Sequence, residues 1–331
     1  MQAICVTPSR ELEVRDIPAP AQAAPGHLIV AMQASAINHG DKTFLKMPAA
    51  AGPAAKASLH EVWGASGAGR VLAVGEGVSA DYLGKQVAIY RSLARTPHTV
   101  GLWCQTTQVS AQSCVVLPDS VSAQDYCGSL VNVITAYAFI EEIVAAGHQG
   151  IIATAGNSAT GHALAALARR RQLPLILLVR SAAAREHLLS LGVEHVIVTQ
   201  GGFTAELARL AAELNTTAVF EGVGGDLFSQ IAPSLPLNST VYFYGFLQGA
   251  QPFALPSALF MMKNLTLRRF SNFESDTVKN PQQLSAALHA LSGIIADDMF
   301  KTRIGRSFSY TEIEHAMAYE ATPGPKAILL A

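Results

Sequence analysis

The pattern of hydrophobic and polar positions changes near residue 123. Before it, short apolar runs with β-branched residues are separated by Gly and Pro, which predicts a β-rich domain with irregular loops. The predicted strands of this part cover residues 28–37, 65–78, 84–90 and 113–119. After residue 123, short apolar strands alternate with helices, and this alternation predicts a parallel sheet with right-handed crossovers.

The second pattern opens with a predicted helix over residues 122–146. Its predicted strands cover 150–155, 174–180, 195–199, 217–225, 239–245 and 264–270. We therefore expect an α/β fold, with a doubly wound parallel sheet over residues 123–275 and a β-rich domain formed by residues 1–122 and 276–331. The tail is assigned to the first domain because the parallel sheet is already complete without it.

Composition and charge narrow the functional class. The 331 residues are 50% hydrophobic and 14% charged, which is enough apolar material for a large core and excludes a disordered chain. Lys+Arg 23 against Asp+Glu 24 leaves a formal net charge of −1. Without an overall basic field, neither nucleic acid nor an anionic membrane is an expected partner.

The sequence predicts no signal peptide, no transmembrane helix and no metal site. Arg10 and Glu11 come too early for a signal peptide, and no run of about 18 apolar residues predicts a transmembrane helix. We therefore expect a cytoplasmic protein. The four cysteines, Cys5, Cys104, Cys114 and Cys127, are not spaced as disulfide partners or as zinc ligands. We therefore expect free thiols and no metal site.

The first strand–helix junction of the second part reads AGNSATG, residues 155–161. A dinucleotide-binding turn has the pattern GxGxxG, of which Gly156 and Gly161 remain, with Ala159 as a small residue between them. Free N–H groups at Ser158, Ala159, Thr160 and Gly161, with side-chain donors from Asn157 and Ser158, would favour an anion at the helix start. The alternative is an ordinary capped turn that binds nothing.

The end of the next strand favours NADP over NAD. An NAD site places an acid about 20 residues after the turn to bind the ribose 2′-hydroxyl. Here the strand ends in Arg180, Ser181 and Arg185, and no Asp or Glu lies between Glu142 and Glu186. Guanidinium groups suit a 2′-phosphate. The alternative is that both arginines are solvated surface charges, which fits Arg185 better than Arg180.

With these motifs the chain resembles the zinc-independent medium-chain dehydrogenases/reductases, in the branch of the quinone oxidoreductases and 2-enoyl thioester reductases. The resemblance runs over almost the whole chain and depends on the shared order of short motifs. These motifs are Asn38-His39-Gly40-Asp41, GAGRVLAVGEGV from Gly67, Thr135-Ala136-Tyr137, Asn157–Gly161, Arg180-Ser181, Val223-Gly224-Gly225, Tyr244-Gly245, Lys263–Phe270 and Lys326.

The resemblance implies a fold, a cofactor and binding residues. It implies a Rossmann domain that binds NADP, a GroES-like catalytic domain and a homodimer formed through the sheet edge at NLTLRRF (264–270), with a monomer as the alternative. Asn157 to Thr160 would hold the pyrophosphate, and Arg180 with Ser181 the 2′-phosphate. The nicotinamide and ribose side would be lined by Asn132, Tyr244, Gly245, Phe246, Leu247, Phe270, Ser271, Asn272 and Lys326.

The implied reaction is hydride transfer from NADPH to a quinone or another α,β-unsaturated carbonyl, the acceptor. Asn38 would donate a hydrogen bond to the acceptor oxygen, or would only fix its turn together with Asp41. Tyr137 would line the acceptor pocket or pack its helix. The segments 47–60 and 93–103 are expected to rim that pocket.

Two departures leave other functions open. Trp63-Gly64-Ala65-Ser66 stands where zinc-dependent relatives carry ligands, and the nearby pair His60-Glu61 is interpreted as a solvated loop. The Tyr that enoyl thioester reductases carry after the Asn-x-x-Asp turn is absent, with Phe44 in that stretch. The alternatives are therefore a 2-enoyl thioester reductase and a catalytically silent NADPH-binding redox sensor.

Overall fold

A computed structural model describes residues 1–46, 58–94, 96–249, 251–320 and 325–331 of the chain. Its strands are β1 (Gln2–Val6), β2 (Leu12–Asp16), β3 (His27–Ala36), β4 (Ser66–Val74), β5 (Gln86–Tyr90), β6 (Thr106–Ser110), β7 (Cys114–Leu117), β8 (Ile151–Ala153), β9 (Leu175–Val179), β10 (His195–Val198), β11 (Ala218–Glu221), β12 (Thr240–Phe243), β13 (Thr266–Arg269), β14 (Ile304–Phe308) and β15 (Lys326–Leu330). Its α-helices are α1 (His39–Lys46), α2 (Ser129–Ala145), α3 (Ala159–Arg170), α4 (Ala182–Ser190), α5 (Phe203–Glu213), α6 (Gly225–Ile231), α7 (Ser257–Met262), α8 (Asp276–Lys279), α9 (Pro281–Ser292) and α10 (Ile313–Ala318).

The chain divides into two units. The first comprises Met1–Asn132 and Pro281–Ala331, and the second Val133–Asn280. The sequence predicts these divisions earlier, after residues 122 and 275. The difference has a physical cause at the first division, because Tyr126 donates its hydroxyl to the Ala296 carbonyl and Gly128 donates its N–H to Thr302 Oγ1. These bonds hold the residues before α2 in the first unit.

The first unit is built on a seven-stranded sheet in the order β14-β15-β3-β4-β5-β7, with β6 also paired to β3. All of these pairs are antiparallel except β14 with β15. β3 lies at the centre because it bonds to β15, β4 and β6, and its burial excludes water from most of its length. The β-rich domain predicted from the Gly- and Pro-broken apolar runs is confirmed.

The second unit is a six-stranded parallel sheet in the order β10-β9-β8-β11-β12-β13. Every residue of β9, LILLV, is buried, as expected for a parallel strand that is covered on both faces. The core contains apolar residues from several strands, among them Ile152, Ile176, Val219 and Val241. The predicted doubly wound α/β fold is therefore confirmed, and it places the carboxyl ends of all six strands at one edge.

One stretch of the described residues, Ala123–Ala145, is long and apolar enough to cross a membrane by length and composition alone. Its most apolar window is 61% buried. Phe139 of α2 stacks on Phe220 of β11 with ring centroids 4.0 Å apart, so α2 packs as a core helix. Core helices pass the same length test as spanning ones, and the absence of a membrane partner stays a prediction.

Candidate functional site

The AGNSATG turn joins β8 to α3 at the carboxyl edge of the parallel sheet. Ser158 is the N-cap of α3, and its Oγ accepts the N–H of Gly161 at 3.1 Å. Among the described residues, the Ala159 N–H has no hydrogen-bond acceptor, as is usual for the first residue of a helix. The helix dipole points its positive end at the same place. The turn therefore offers an anion a backbone donor and a favourable field.

The two remaining glycines of the turn are required by close packing. A Cβ on Gly161 would lie 2.2 Å from the Gly156 carbonyl oxygen, and a Cβ on Gly156 would lie 2.8 Å from Leu177 Cβ of β9. Ser158 stands where the middle glycine of the pattern would be, and Ala155, directly before the first glycine, adopts a φ of +52°. The turn thus keeps the first and last glycines of the pattern, and its left-handed backbone conformation lies at Ala155.

A histidine orients the turn and was not predicted. His162 of α3 is 5% exposed, and its Nε2 lies 3.0 Å from Oδ1 of Asn157. This contact fixes the amide that the sequence analysis assigns to the pyrophosphate. An i, i+5 His after an Asn is not a sequence signal by itself, because only the turn brings the two side chains together.

The tip of β9 carries the predicted 2′-phosphate residues. Arg180 is exposed, and its guanidinium has no hydrogen-bond or ion-pair partner among the described residues. Ser181 caps α4, since its Oγ accepts the Ala184 N–H at 3.3 Å. Arg185 differs, because its Nε donates to the Val196 carbonyl at 3.0 Å and so fastens α4 to β10. Of the two arginines, Arg180 is the one whose guanidinium has no hydrogen-bond partner among the described residues.

A buried acid at the tip of β11 was also missed. Glu221 is 0% exposed, and its Oε1 accepts hydrogen bonds from Thr154 Oγ1 at 2.9 Å, from Val223 N–H at 2.6 Å and from Gly224 N–H at 2.8 Å. Its Oε2 is buried with no partner in the described part of the chain, and burial raises the pKa of this carboxyl. Glu221 therefore holds the Val223-Gly224-Gly225 turn against β8. An acid directly before that turn was the signal available in the sequence.

Tyr244 links the β12 tip to the AGNSATG turn. Its ring stacks on Phe220 with centroids 3.9 Å apart, and its hydroxyl is hydrogen-bonded to the Ser158 side chain. Burial and the nearby Glu221 carboxyl raise the pKa of Tyr244. Gly245 follows half-buried, whereas Phe246 and Leu247 are 51% and 53% exposed. The structure thus brings the β8 and β12 tips together through a side chain.

The remaining predicted residues of the second unit have structural contacts. Asn272 is 7% exposed and donates from Nδ2 to Thr135 Oγ1 at 2.9 Å. Phe270 is buried, and the centroid of its ring lies 5.8 Å from that of Phe139. Ser271, which follows Phe270 in the sequence, is half-buried. Tyr137 lies with its ring 6.0 Å from the Arg171 guanidinium, which favours the interpretation that it packs helix α2.

A polar cluster in the first unit joins three distant segments. Asn38 donates from Nδ2 to Ser66 Oγ at 2.6 Å and to Asp41 Oδ2 at 3.1 Å. Its Oδ1 accepts a hydrogen bond from Lys326 Nζ. Asp41 Oδ2 also accepts the Asn38 backbone N–H at 2.8 Å. We call these four residues the Asn38 cluster. The sequence predicts Asn38 and Asp41 together, places Lys326 at the cofactor, and gives no role to Ser66.

Burial shifts the pKa of both ionisable side chains in the Asn38 cluster. Burial raises the pKa of Asp41, and the hydrogen bonds from Asn38 oppose this rise. Burial lowers the pKa of Lys326 to about 8, while the nearby Cys127 and Asp41 oppose that shift. Asn132, the other predicted residue of this unit, donates its Nδ2 to the Gly128 carbonyl at 2.6 Å. It lies in the first turn of α2.

The structure describes only part of the predicted pocket rim, because residues 47–57 and Arg95 lie outside its described residues. Within the described residues, no group of three or more His, Cys, Asp or Glu side chains is arranged to hold a metal ion. All four cysteines are free and buried. His60 and Glu61 are exposed and form a turn with φ of +58° and +59°.

Two family models match the chain. Residues 24–145 match the alcohol dehydrogenase GroES-like domain, and residues 159–291 match the zinc-binding dehydrogenase domain. A curated relative, the mitochondrial enoyl-[acyl-carrier-protein] reductase of Bos taurus, is 24% identical over 87% of this chain and 76% of its own length. Across the six curated relatives, the aligned share of the relative's own length ranges from 32% to 76%.

Solved structures share the fold over the whole chain. A mycobacterial quinone oxidoreductase superimposes with a TM-score of 0.75 at 22% identity, covering 100% of both chains. A mycobacterial protein complexed with NADPH superimposes with a TM-score of 0.74 at 20% identity, also covering 100% of both chains. With the two matched domains in this order along one sequence, the chain belongs to the medium-chain dehydrogenase/reductase family.

Proposed function

We propose that the protein is an NADPH-dependent oxidoreductase that transfers a hydride to a quinone or another α,β-unsaturated carbonyl. The observation that carries this proposal is the unpartnered guanidinium of Arg180 at the tip of β9, next to the strand that leads into the AGNSATG turn. A solved relative of the same fold binds NADPH, and others are named as quinone and enoyl reductases.

The residues of the second unit fit NADP. The unpaired Ala159 N–H and the dipole of α3 favour one phosphate group, and Arg180 with Ser181 favours another on the adenosine ribose. No Asp or Glu lies between Glu142 and Glu186 in the sequence, so this stretch brings no acidic side chain to repel a 2′-phosphate. Bound NADPH supplies the acceptor with a hydride, which carries two electrons.

The protein's own residues prepare this site before any ligand binds. His162 orients the Asn157 amide, and Tyr244 holds the Ser158 hydroxyl. Glu221 keeps the neighbouring turn in place through three hydrogen bonds. Because these donors are already fixed, less ordering is needed when the cofactor binds.

The acceptor side is proposed at the Asn38 cluster of the first unit. Asn38 and Lys326 are both half-buried, so part of each side chain is accessible. An electron-poor acceptor needs donors at the oxygen where negative charge develops. This cluster holds the Lys326 ammonium beside the Asn38 amide and the Ser66 hydroxyl, with the Asp41 carboxyl bonded to Asn38.

Two measurements on the purified chain test this function. Calorimetry should detect NADPH binding more tightly than NADH, because only NADPH carries the 2′-phosphate. The near-ultraviolet absorbance of NADPH should then fall when a quinone or a simple enone is added. Absence of NADPH binding would overturn the proposal outright.

The same assay separates two other functions. Because the bovine relative is an enoyl reductase, a crotonyl thioester belongs in the acceptor panel. Preference for that thioester over every quinone and enone would assign the protein to the enoyl thioester reductases. Tight NADPH binding without turnover of any acceptor would instead support a silent redox sensor.

We also propose that the protein is a homodimer. β13 is the last strand of the parallel sheet, and α7 before it carries Met261 and Met262, which are 76% and 80% exposed. Large exposed apolar side chains next to an open sheet edge mark an interaction surface. Sedimentation should give the mass of a dimer, and Met262→Lys should shift it toward the monomer. The cytoplasmic location stays a prediction.

A further inference from the structure

Asn38 has no amide hydrogen left for an acceptor. Its Nδ2 carries two hydrogens, and the structure gives it two acceptors, Ser66 Oγ at 2.6 Å and Asp41 Oδ2 at 3.1 Å. Ser66 is fully buried and Asp41 is 5% exposed, so water does not compete for these bonds. A direct hydrogen bond from Asn38 to an acceptor oxygen would break one of them.

Lys326 is the member of the cluster with hydrogens to offer. Its ammonium has three, and one is bound by Asn38 Oδ1, which is its single hydrogen-bond partner among the described residues. Asn38 cannot rotate its amide away, because its other end is held by Ser66 and Asp41. Asn38 therefore orients the ammonium, and two of the ammonium hydrogens have no acceptor among the described residues.

We propose that Lys326, positioned by Asn38, is the proton donor for the acceptor. The inference rests on the proposed function, since it needs an acceptor that has taken a hydride. The geometry gives Asn38 a positioning role and gives the catalytic role to Lys326, which the family resemblance had assigned to the cofactor side.

The acceptor is reduced by hydride transfer and then protonated. The acceptor takes the hydride of NADPH at its electron-poor carbon, and the π-electron pair of the double bond moves to the oxygen. The oxyanion then takes a proton from Lys326, whose N–H bond breaks and leaves its electron pair on Nζ. The neutral amine regains a proton from water. NADPH is oxidised and the acceptor is reduced by two electrons.

The electrostatics of the cluster suit this role. The ionisable groups that face Lys326 are Asp41 of α1 and the Cys127 thiol before α2. Burial raises the pKa of Cys127 to about 12, so the thiol is neutral at ordinary pH. The pKa of Lys326 of about 8 is close to neutrality, where a group transfers protons best.

The first experiment compares Lys326→Met with the matched control Lys85→Met. Lys85 is an exposed lysine of the same unit whose Nζ lies 3.8 Å from Asp119. We expect kcat with a quinone to fall about 100- to 1,000-fold in Lys326→Met, as for loss of a general acid, and to be unchanged in the control. NADPH binding by calorimetry should be unchanged in both.

The competing result is specific. If Lys326→Met raises the NADPH dissociation constant and leaves kcat at saturating NADPH intact, Lys326 is a cofactor residue and the proposal is overturned. Tryptophan fluorescence checks folding, because both tryptophans, Trp63 and Trp103, belong to the first unit.

The second experiment is the pH profile of kcat/KM. The protonated form is active, so the wild-type rate should fall above about pH 8. Lys326→Arg should be slow, because a guanidinium stays protonated throughout and is a poor proton donor, and its residual rate should show no alkaline fall. Asp41→Asn should move it to lower pH, since a neighbouring negative charge is lost. A purely structural Lys326 would leave the profile in place in all three proteins.

A third measurement needs neither cofactor nor activity. Lysine Cε–Hε signals of the ligand-free protein, assigned with Lys326→Met, should show one lysine titrating near pH 8. Titration of Lys326 at the ordinary lysine value would overturn the proposal. A wild-type protein that turns over no acceptor overturns the proposed function itself, and that result is distinct from a wild type that works while Lys326→Met works equally well.

Discussion

The AGNSATG turn of the second unit and the Asn38 cluster of the first unit are built in opposite ways. The turn occupies seven consecutive residues and offers backbone N–H groups and a helix dipole, whose charges do not titrate. The Asn38 cluster consists of side chains from segments up to 288 residues apart, and its charge depends on pH. A binding site for an invariant phosphate suits the first construction, and a site that must move a proton suits the second.

The two regions also tolerate change differently. Around the turn, space is limited by backbone atoms, as the 2.2 Å from a Cβ on Gly161 to the Gly156 carbonyl shows. Around Asn38, hydrogen-bond partners limit change, because every polar atom of its amide is engaged. Steric substitutions should therefore be most damaging at the turn, and polar ones at the cluster.

The largest effect is expected for Gly161→Ala. The added methyl group collides with the Gly156 carbonyl, which is backbone and cannot rotate away. We expect the free energy of unfolding to fall by about 3 kcal/mol, at the upper end for overpacking, together with loss of NADPH binding. Denaturant unfolding followed by circular dichroism measures the first effect and calorimetry the second.

The control for this substitution is Gly293→Ala, whose Cβ would meet its nearest neighbour, the Ala290 carbonyl oxygen, at 3.8 Å. It should be nearly neutral. Equal losses in the two variants would show that the turn is not limited by packing.

The next effect concerns Arg180→Ala. Loss of a charge-assisted pair with the 2′-phosphate should raise the NADPH dissociation constant about 30-fold, or about 2 kcal/mol, and leave NADH binding unchanged. Arg209→Ala is the matched control, because Arg209 is exposed on α5 and pairs with Glu213 at 2.7 Å. An unchanged NADPH constant would remove Arg180 from the site.

A smaller effect is expected for Ser66→Ala in the Asn38 cluster. It leaves one amide hydrogen of Asn38 without its 2.6 Å acceptor in a buried place. We expect the first unit to lose about 1 kcal/mol of stability. Tryptophan fluorescence during denaturant unfolding follows this unit. A variant as stable as the wild type would mean that Asn38 is not held by Ser66.

The smallest effect has the opposite sign. Ala155 has a φ of +52°, a conformation that is unfavourable for a residue with a Cβ, so Ala155→Gly relieves backbone strain. The glycine also raises the conformational entropy of the unfolded chain, which offsets part of the gain. We expect a net stabilisation of about 0.5 kcal/mol. Ala212→Gly, at an exposed position in α5, should instead destabilise by about 1 kcal/mol. Matching signs in the two variants would contradict the strain at Ala155.

The sequence was informative wherever function depends on neighbouring residues. The buried run LILLV and the turn after β8 could both be recognised as linear patterns, since strand burial and helix capping are local properties. Arg180 was singled out by its place at a strand end. Its lack of a partner among the described residues became visible only in the structure, because nearby charges from other strands could have paired with it.

Other features had no linear signal. Arg185 resembles Arg180 in the sequence, yet the structure ties it to Val196. Glu221 and Thr154 lie 67 residues apart and meet because β8 and β11 are adjacent in the sheet. Tyr244 reaches Ser158 for a related reason, since the carboxyl ends of parallel strands share one edge.

The amino-acid sequence by itself determined the α/β fold, the β-rich domain and the turn with its capped helix, because hydrophobic periodicity and capping act over a few residues. Only the tertiary structure decided which side chains share the Asn38 cluster and which hydrogens of Asn38 are already bound. It also lowered the pKa of Lys326, because the desolvation of a charge depends on everything that surrounds it and on no single stretch of the chain.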